Sequence, residues 1–272
     1  SPSRWRPTPA PSPPGPYPGL FPGPARVPAA LALGAGLAAC STFTPTLQDR
    51  YAVDEHRLWL SCAGHGRPTV VVDVAFGGDA RDWRDLQDQL RHRVRVCVYD
   101  RAGYGLSDAG PLPRDARRVA DELRSLLRSA RLAPPYVLVG HSLGGLHALV
   151  FAHLHREATA GLMLLDPPPG LFLRGERFPE LREEARAATR TLRRQAEVLK
   201  QSADRASTRR AVRLTTLASE HEALFGRTAA QAAAVDGLSA LPLVVLASGR
   251  PDPDLVGQRA DFRDYWIGES RE

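Results

Sequence analysis

Apolar and polar positions follow two different periods along the chain. Residues 51–53 and 57–62 alternate between the two types, a pattern typical of an antiparallel hairpin. Residues 115–130 and 143–155 instead place apolar side chains at helical spacing. Short apolar runs predict strands buried on both faces, at residues 69–75, 94–99, 136–140, 161–165 and 241–247. Because strands alternate with helices, the sequence predicts an α/β domain with a mostly parallel sheet and helices on both faces.

The N-terminal part of the chain differs in composition from the rest. Residues 1–25 form a proline-rich run, which cannot form a helix or an interior strand because proline fixes φ and lacks a backbone donor. Residues 26–40 are largely apolar; the run is too short to cross a bilayer but typical of the core of a signal peptide. We therefore divide the chain into an N-terminal segment, 1–47, whose proline-rich part is expected to be disordered, and a folded domain, 48–272.

The apolar run ends in Leu-Ala-Ala-Cys at residues 37–40. This ending resembles the lipobox of bacterial lipoproteins, in which the cysteine is acylated and becomes the new N-terminus. The sequence thus predicts export or membrane attachment through Cys40. An uncleaved membrane anchor, and a cytoplasmic protein with neither signal, are the alternatives.

The positive charge of the chain is dispersed. The net charge is +6, and arginine supplies nearly all of the positive side chains, since Lys200 is the only lysine. The arginines are interspersed with Asp and Glu, whereas a nucleic-acid-binding protein would gather basic residues on one face. The three cysteines are too few for a disulfide framework and form no CxxC pair for zinc. We therefore expect no nucleic-acid partner and no zinc site.

Residues 140–145, Gly-His-Ser-Leu-Gly-Gly, contain the pattern G-x-S-x-G between a predicted strand and a predicted helix. In this setting the pattern indicates a nucleophile elbow, a strained turn that exposes the serine hydroxyl. Glycines two residues before and after the serine let the backbone pass close by, and the N-terminus of the following helix favours negative charge. Ser142 is therefore the candidate nucleophile.

Four stretches together resemble the α/β-hydrolase superfamily, and in particular bacterial members with an N-terminal signal or anchor. They occur in the order and spacing of the family and cover roughly residues 50–250: PTVVVDVAFGGDARDW (68–83), YDRAGYGLSD (99–108), PYVLVGHSLGG (135–145) and GLMLLDP (161–167). The resemblance implies the α/β-hydrolase fold and a serine nucleophile, and it leaves the substrate open.

By this resemblance, two backbone N–H groups form an oxyanion hole. One belongs to Leu143 and the other to Phe76, in the loop after the first buried strand. Such donors face the negative oxygen of the tetrahedral intermediate. The loop departs from the usual His-Gly pair of the family, because Val74-Ala75 stand there. An ordinary turn at Gly77-Gly78 is the alternative.

The resemblance also implies an acidic residue just after a late strand. Asp252, beyond the strand at 241–247, takes the usual place; Asp166 is the second candidate and Asp254 the third. Each of them could instead be a solvated loop carboxylate or a helix cap. The pair Asp100-Arg101 is expected to shape its loop rather than to react.

The third residue of the family triad, a histidine after the acid, is absent from the sequence. None of the eight histidines follows Asp252. Because serine needs a base to act as a nucleophile, this stretch alone is expected to hydrolyse slowly or not at all. The sequence also begins without methionine, so we expect it to belong to a longer chain that supplies the last strand and helix of the fold. A pseudo-hydrolase, and His221 as a surrogate base, are the alternatives.

Two further expectations concern the fold. The segment at about 171–238 lies where these enzymes insert a helical cap, which would shape the acyl pocket. The alternative is a solvent-exposed helical insertion that does not cover the site. The topology makes the strands that carry Cys62 and Cys97 neighbours. An exported protein would then join these residues in a disulfide, and two buried free thiols are the alternative.

The sequence thus predicts a serine hydrolase that cleaves an ester or a small amide through an acyl-enzyme, a reaction that needs no metal or nucleotide cofactor. Serine at the elbow argues against epoxide hydrolases and haloalkane dehalogenases, which use aspartate there. A non-catalytic binding protein, and a cofactor-free haloperoxidase-like or lyase enzyme on the same fold, are the alternatives.

Overall fold

A seven-stranded sheet forms the centre of the structure, a computed structural model that describes residues 47–168 and 178–249 together with residues 261 and 265. Its order is β1-β2-β4-β3-β5-β6-β7. Strand β2 pairs antiparallel with β1 and with β4, and every other pairing is parallel. The strands are β1 (Leu47–Val53), β2 (His56–Ala63), β3 (Thr69–Asp73), β4 (Val96–Tyr99), β5 (Tyr136–His141), β6 (Thr159–Leu165) and β7 (Leu243–Leu246).

Helices connect most of the strands. In the described residues they are α1 (Arg84–Leu90), α2 (Ala116–Ser129), α3 (Leu143–Leu154), α4 (Pro179–Lys200), α5 (Arg205–Leu224) and α6 (Arg227–Ala233), with 3₁₀ turns at Ala80–Trp83 and Arg156–Ala158. Asp115 is the N-cap of α2, and its side chain accepts a hydrogen bond from the Arg118 N–H. This bond satisfies a backbone donor that the first turn of the helix leaves unpaired.

The two faces of the sheet have separate hydrophobic cores. Val71 and Cys97 belong to a buried cluster that includes residues of α2 and α3. Their sequence neighbours Val72 and Val98 belong to another cluster, against which Leu90 of α1 packs. Successive side chains of a strand point to opposite faces, so both faces are covered. The predicted α/β-hydrolase architecture, with a mostly parallel sheet between helices, is confirmed.

The structure differs from the sequence prediction at the end of β3. The predicted strand 69–75 stops at Asp73, because the carbonyl groups of Val74 and Ala75 turn towards Arg101 instead of pairing with a neighbouring strand. Helix α1 was not predicted, since its sequence carries few apolar positions. It is held by Gln87, whose buried amide donates to carbonyl groups of β2 and β4 at 2.9 and 3.0 Å.

Helices α4, α5 and α6 lie between β6 and β7, in the interval for which the sequence predicts a cap. Helices α4 and α5 pack together, and buried Leu192 and Leu217 join them to Tyr104 of the main domain. In the part of the chain that the structure describes, no helix is both long enough and apolar enough to span a membrane. The apolar run at 26–40, with Cys40, lies outside the described residues.

Strand β7 is the outermost strand on its side of the described sheet. Its four side chains are 43 to 54% exposed although all are apolar: Leu243, Val244, Val245 and Leu246. An apolar edge with unpaired backbone groups favours pairing with a further strand.

A disulfide joins Cys62 of β2 to Cys97 of β4, as the sequence predicts. The two residues lie directly opposite each other in the antiparallel pairing, with Cα atoms 4.0 Å apart, and both are buried. The bond therefore ties the β1-β2 hairpin to the parallel part of the sheet.

Loss of this disulfide is expected to lower the free energy of unfolding. The bond closes a loop with a sequence separation of 35 residues, and the double variant Cys62→Ala/Cys97→Ala should lose about 3–4 kcal/mol as its unfolded chain regains that freedom. Urea denaturation under oxidising conditions measures the difference. Adding dithiothreitol should bring the wild type to the value of the variant. Equal unfolding free energies for variant and oxidised wild type would contradict a stabilising bond.

Candidate active site

Ser142 lies at the turn between β5 and α3, with φ 51° and ψ −118°. A positive φ costs free energy in a residue other than glycine, so it persists only where the surroundings enforce it. The Ser142 N–H donates to the Leu165 carbonyl at 2.9 Å, and the Ser142 carbonyl accepts from the Gly145 N–H at 2.9 Å. The residue is 4% exposed. The backbone at Ser142 thus forms a strained elbow between strand and helix, at the position that the sequence predicts.

Two glycines allow the elbow to form. A Cβ atom at Gly144 would overlap the carbonyl oxygen of Asp73, and a Cβ atom at Gly140 would overlap the backbone of Gly144. These atoms belong to the backbone and cannot rotate aside as a side chain can. The G-x-S-x-G spacing therefore reflects the close approach of α3 to the end of β3.

The loop after β3, residues 74–79, runs beside the start of α3. Phe76 packs against the buried cluster that contains Leu143. Leu143 is the first residue of α3, so its N–H has no acceptor within the helix. Phe76 lies beyond the end of β3, so its N–H takes no part in strand pairing. The two N–H groups predicted for the oxyanion hole thus belong to adjacent segments of the fold.

Asp100 fixes the end of the 74–79 loop. Its carboxylate accepts from the Ala80 N–H at 2.8 Å and from the Leu106 N–H at 2.9 Å, which connects this loop to the loop after β4. Burial raises the pKa of Asp100 above its usual value, although these two backbone donors oppose the shift. The contacts are those of a residue that shapes its loop, the role that the sequence predicts.

Asp166 follows β6, next to the strand that carries the elbow. Its backbone has φ 46°, and its carboxylate accepts from the Ser248 N–H at 3.1 Å. The preceding residue, Leu165, is the one whose carbonyl binds the Ser142 N–H. Among the three acid candidates, Asp166 is the one that the structure describes, and it follows directly after the residue whose carbonyl binds the Ser142 N–H. The other two lie outside the described residues: Asp252 and Asp254.

A buried carboxylate, Asp73, lies behind the elbow. It accepts from Arg101 Nη1 at 2.6 Å and from the Tyr99 hydroxyl at 2.8 Å, and its Oδ2 lies 3.1 Å from Nδ1 of His147. Burial alone would raise the pKa of Asp73, but Arg101 and His147 outweigh burial and hold the pKa below its usual value. His147 of α3 is therefore engaged with Asp73.

His221 of α5 packs against the 74–79 loop. Its ring centroid lies 5.4 Å from that of Phe76 and 5.6 Å from that of Phe225. Its Nδ1 lies 2.7 Å from Oγ1 of Thr189, and that hydroxyl donates to the Ala185 carbonyl at 3.0 Å. The hydroxyl has one proton to give, so we assign Nδ1–H as the donor to it. The sequence indicates a remote cap residue, whereas the structure places His221 beside Phe76.

Acid is expected to destabilise the fold through His221. Burial lowers the pKa of His221 to about 4 from its ordinary 6.5, so the unfolded chain binds the proton more readily than the folded one. Above pH 6.5 His221 is neutral in both states, and the free energy of unfolding has its full value. As the pH falls towards 4, protonation of His221 in the unfolded chain lowers that free energy by at most about 3 kcal/mol. Urea denaturation of His221→Gln should show a flatter pH dependence of unfolding free energy over this range.

The matched control is His65→Gln, because His65 is exposed. This variant should keep the pH dependence of the wild type. If His221→Gln keeps it as well, His221 is not the group that titrates.

Sequence reasoning missed two buried acids in this region, Asp73 and Glu220. Asp73 leaves a weak signal, since a charged residue ends the otherwise apolar run TVVVD. Glu220 leaves none, because it lies among many charged residues of a helical stretch. Within the described ranges, no three His, Cys, Asp or Glu side chains are grouped so that they could hold a metal ion.

Residues 66–266 match the family model of the alpha/beta hydrolase fold, and the chain belongs to this family. Among solved structures, wild-type Cfl2 from Burkholderia cenocepacia has a TM-score of 0.56 at 21% identity, covering 85% of this chain and 93% of that one. The enol-lactonase from Burkholderia xenovorans has a TM-score of 0.52 at 21% identity, covering 81% and 88%. At these identities the likeness shows the shared fold.

Curated sequence relatives share shorter segments. YqjL of Bacillus subtilis, called an uncharacterized protein, is 33% identical over 107 residues, 39% of this chain and 42% of that protein. A Yersinia enterocolitica protein named "Putative carbamate hydrolase RutD" is 32% identical over 132 residues, 47% of each chain. A Saccharomyces cerevisiae protein called an uncharacterized vacuolar membrane protein is 41% identical over 85 residues, 31% of this chain and 13% of that protein. The chain thus spans less than half the length of these relatives.

Proposed function

We propose that the protein is a serine hydrolase that cleaves an ester or a small amide through an acyl-enzyme. The observation that carries the proposal is the strained backbone of Ser142, with φ 51°, between a buried strand and the N-terminus of α3. Backbone strain of this kind clusters at functional sites, and in this fold it serves to expose a nucleophile.

In this proposal the Ser142 hydroxyl oxygen attacks the carbonyl carbon of the substrate and forms a tetrahedral intermediate. The N–H groups of Leu143 and Phe76 bind its negative oxygen, and the positive end of the α3 dipole adds to the stabilisation. The intermediate then expels the alcohol or amine and leaves an acyl group on Ser142, which water removes.

A histidine base, oriented by a carboxylate, takes the proton of the Ser142 hydroxyl during the attack and gives it to the leaving alcohol or amine. In the second half of the reaction it takes a proton from the attacking water and returns it to Ser142. Asp166 and Asp252 are the candidate carboxylates. In the family, the histidine that acts as the base comes later in the chain than the acid. His221 is the alternative base, since its ring packs against Phe76.

An apolar acyl group fits the surroundings of Leu143. Its cluster and the residues packed against it include six other large apolar side chains: Leu146, Leu181, Leu224, Phe76, Phe178 and Phe225. The Yersinia relative is named for hydrolysis of a carbamate, whose carbonyl carbon is attacked in the same way as that of an ester. Esters of apolar carboxylic acids are therefore the first substrates to test.

Labelling with a fluorophosphonate probe tests the proposal. The full-length protein should acquire the probe on Ser142, as found by mass spectrometry of the labelled peptide, and should hydrolyse p-nitrophenyl butyrate until the probe has reacted. If the folded protein takes up no probe and hydrolyses none of a panel of esters and anilides, a non-catalytic binding protein is favoured instead.

We also propose membrane attachment through an acylated Cys40. The apolar run before it supports this proposal, together with the yeast relative called a vacuolar membrane protein. In bacterial cells fed radiolabelled palmitate, the wild type should carry the label in the membrane fraction and Cys40→Ala should not. Equal labelling of both would contradict acylation at Cys40.

A further inference from the structure

One face of α5 contacts the 74–79 loop. Arg213 donates from Nη2 to the Gly77 carbonyl at 2.5 Å, and Leu217 lies within van der Waals reach of a Cβ built at Gly77. The His221 ring packs on Phe76. Positions 213, 217 and 221 recur every four residues, so they share one helix face. The loop, which lacks the usual His-Gly pair, is thus supported by a helix from the predicted cap.

Arg101 joins α5 to the first residues of this loop. Its Nη1 donates to the Asp73 carboxylate at 2.6 Å and to the Val74 carbonyl at 2.7 Å, and its Nη2 donates to the Ala75 carbonyl at 3.2 Å. Its Nε and Nη2 donate to the two carboxylate oxygens of Glu220 at 2.8 and 3.1 Å. A guanidinium has five N–H donors, so each of them has an acceptor here.

The contact with Ala75 sets the direction of the Phe76 N–H. Both groups belong to one peptide unit, which is planar and trans, so the N–H points opposite to the carbonyl. Two donors fix the direction of the Ala75 carbonyl. One is Arg101, and the other is the Gly78 N–H, whose nitrogen lies 3.1 Å from the Ala75 oxygen. The Phe76 N–H is therefore directed away from Arg101 and cannot turn while these bonds last.

Glu220 in turn fixes Arg101. It is 1% exposed, and its Oε2 also accepts from the Tyr104 hydroxyl at 2.6 Å. Burial alone would raise the pKa of Glu220, but the adjacent guanidinium outweighs burial and holds the pKa below its usual value. The carboxylate is thus ionised at neutral pH and binds the Nε edge of Arg101 in a bidentate, charge-assisted pair.

We propose that Glu220 is a positioning residue for the oxyanion hole: by orienting Arg101, it fixes the Ala75–Phe76 peptide so that the Phe76 N–H faces the developing oxyanion. The inference rests on the proposed serine hydrolase function. If Glu220 has this role, the oxyanion hole is complete only while α5 is packed against the 74–79 loop.

The test is Glu220→Gln in the full-length protein. The substituted amide keeps the shape of the carboxylate but presents an NH₂ group to a donor of Arg101. With p-nitrophenyl butyrate, kcat should fall about 10- to 100-fold, because loss of an aligned oxyanion donor costs transition-state binding, while KM changes by less than about threefold. Butaneboronic acid, which forms a tetrahedral adduct with the nucleophile, should bind more weakly by the factor by which kcat/KM falls.

Glu122→Gln is the matched control. Glu122 of α2 is also buried and forms a bidentate pair with Arg114, at 2.6 and 2.5 Å. The same chemical change should therefore lower stability to a similar extent but leave kcat unaltered. Glu220→Asp, which retains the charge, should recover part of the lost kcat. If Glu220→Gln does not fold, Tyr104→Phe removes one donor to Glu220 and should lower kcat by a smaller factor.

The outcomes separate failure of the positioning role of Glu220 from failure of the proposed function. An active wild type with an unchanged kcat in folded Glu220→Gln, or in Tyr104→Phe where the former does not fold, overturns the positioning role alone. An equal loss of kcat in Glu122→Gln assigns the effect to stability and also overturns it. A wild type that neither hydrolyses esters nor takes up the fluorophosphonate overturns the proposed function, and this inference with it.

Discussion

Replacing Ser142 by alanine is expected to lower kcat for ester hydrolysis by about 10⁴- to 10⁶-fold. In the proposed mechanism no acyl-enzyme forms without the hydroxyl oxygen, and the activity that is left comes from substrate binding and the proposed oxyanion donors. The thermal midpoint should stay close to that of the wild type, because alanine occupies the same backbone without a new contact. Initial rates with p-nitrophenyl butyrate, combined with intact-mass detection of the acyl adduct, measure both effects.

Ser129→Ala is the control for this substitution. Ser129 ends α2, and its exposed hydroxyl donates to the Ala52 carbonyl at 2.7 Å, outside the elbow. The control should keep the kcat of the wild type. If Ser142→Ala loses less than about tenfold in kcat, Ser142 is not the nucleophile, since removal of a covalent nucleophile costs far more.

Replacing Arg101 by methionine is expected to lower the free energy of unfolding by about 3–5 kcal/mol. Arg101 is fully buried and compensates two buried carboxylates, Asp73 and Glu220. Methionine fills part of the volume but leaves both carboxylates without their cation. The exposed pair of Arg190 and Glu183 is the contrast, since Arg190→Met should cost less than about 1 kcal/mol.

The effect of Arg101→Met should depend on pH. In the wild type, the guanidinium holds the pKa values of Asp73 and Glu220 below their usual 3.8 and 4.5. Its stabilisation is therefore present above those values and is lost as the pH falls below them. Urea denaturation at pH 7 and at lower pH should show the gap between variant and wild type narrowing in acid. A gap that is constant with pH would mean that Arg101 contributes through packing alone.

The elements of the sheet are largely readable from the sequence because their signals are local. Within the described residues, apolar runs and alternation locate the strands, and helical spacing locates α2 and α3, to within a few residues. The sequence predicts one helical interval where the structure has the separate helices α4, α5 and α6, and the resemblance supplies the order in which the strands pair. The sequence pattern does not predict helix α1, because this helix is held by the buried amide of Gln87 and not by an apolar face. The pattern does not predict the end of β3 either, since Arg101 and not the local sequence turns the Val74 and Ala75 carbonyls out of the sheet.

The amino-acid sequence was enough to indicate the fold class, the position of Ser142 in a strand–turn–helix, and the neighbouring strands of Cys62 and Cys97, but it left a disulfide and two free thiols as alternatives. These follow from local periodicity, from glycine spacing and from a topology that places two strands side by side. The way in which the 74–79 loop is held depends on contacts between distant parts of the chain. Glu220 and Arg101 are 119 residues apart in the chain, and a charged residue on a helix carries no mark of the partner it will meet. That partner is set by packing, because a buried guanidinium must find acceptors for all of its donors wherever the fold supplies them.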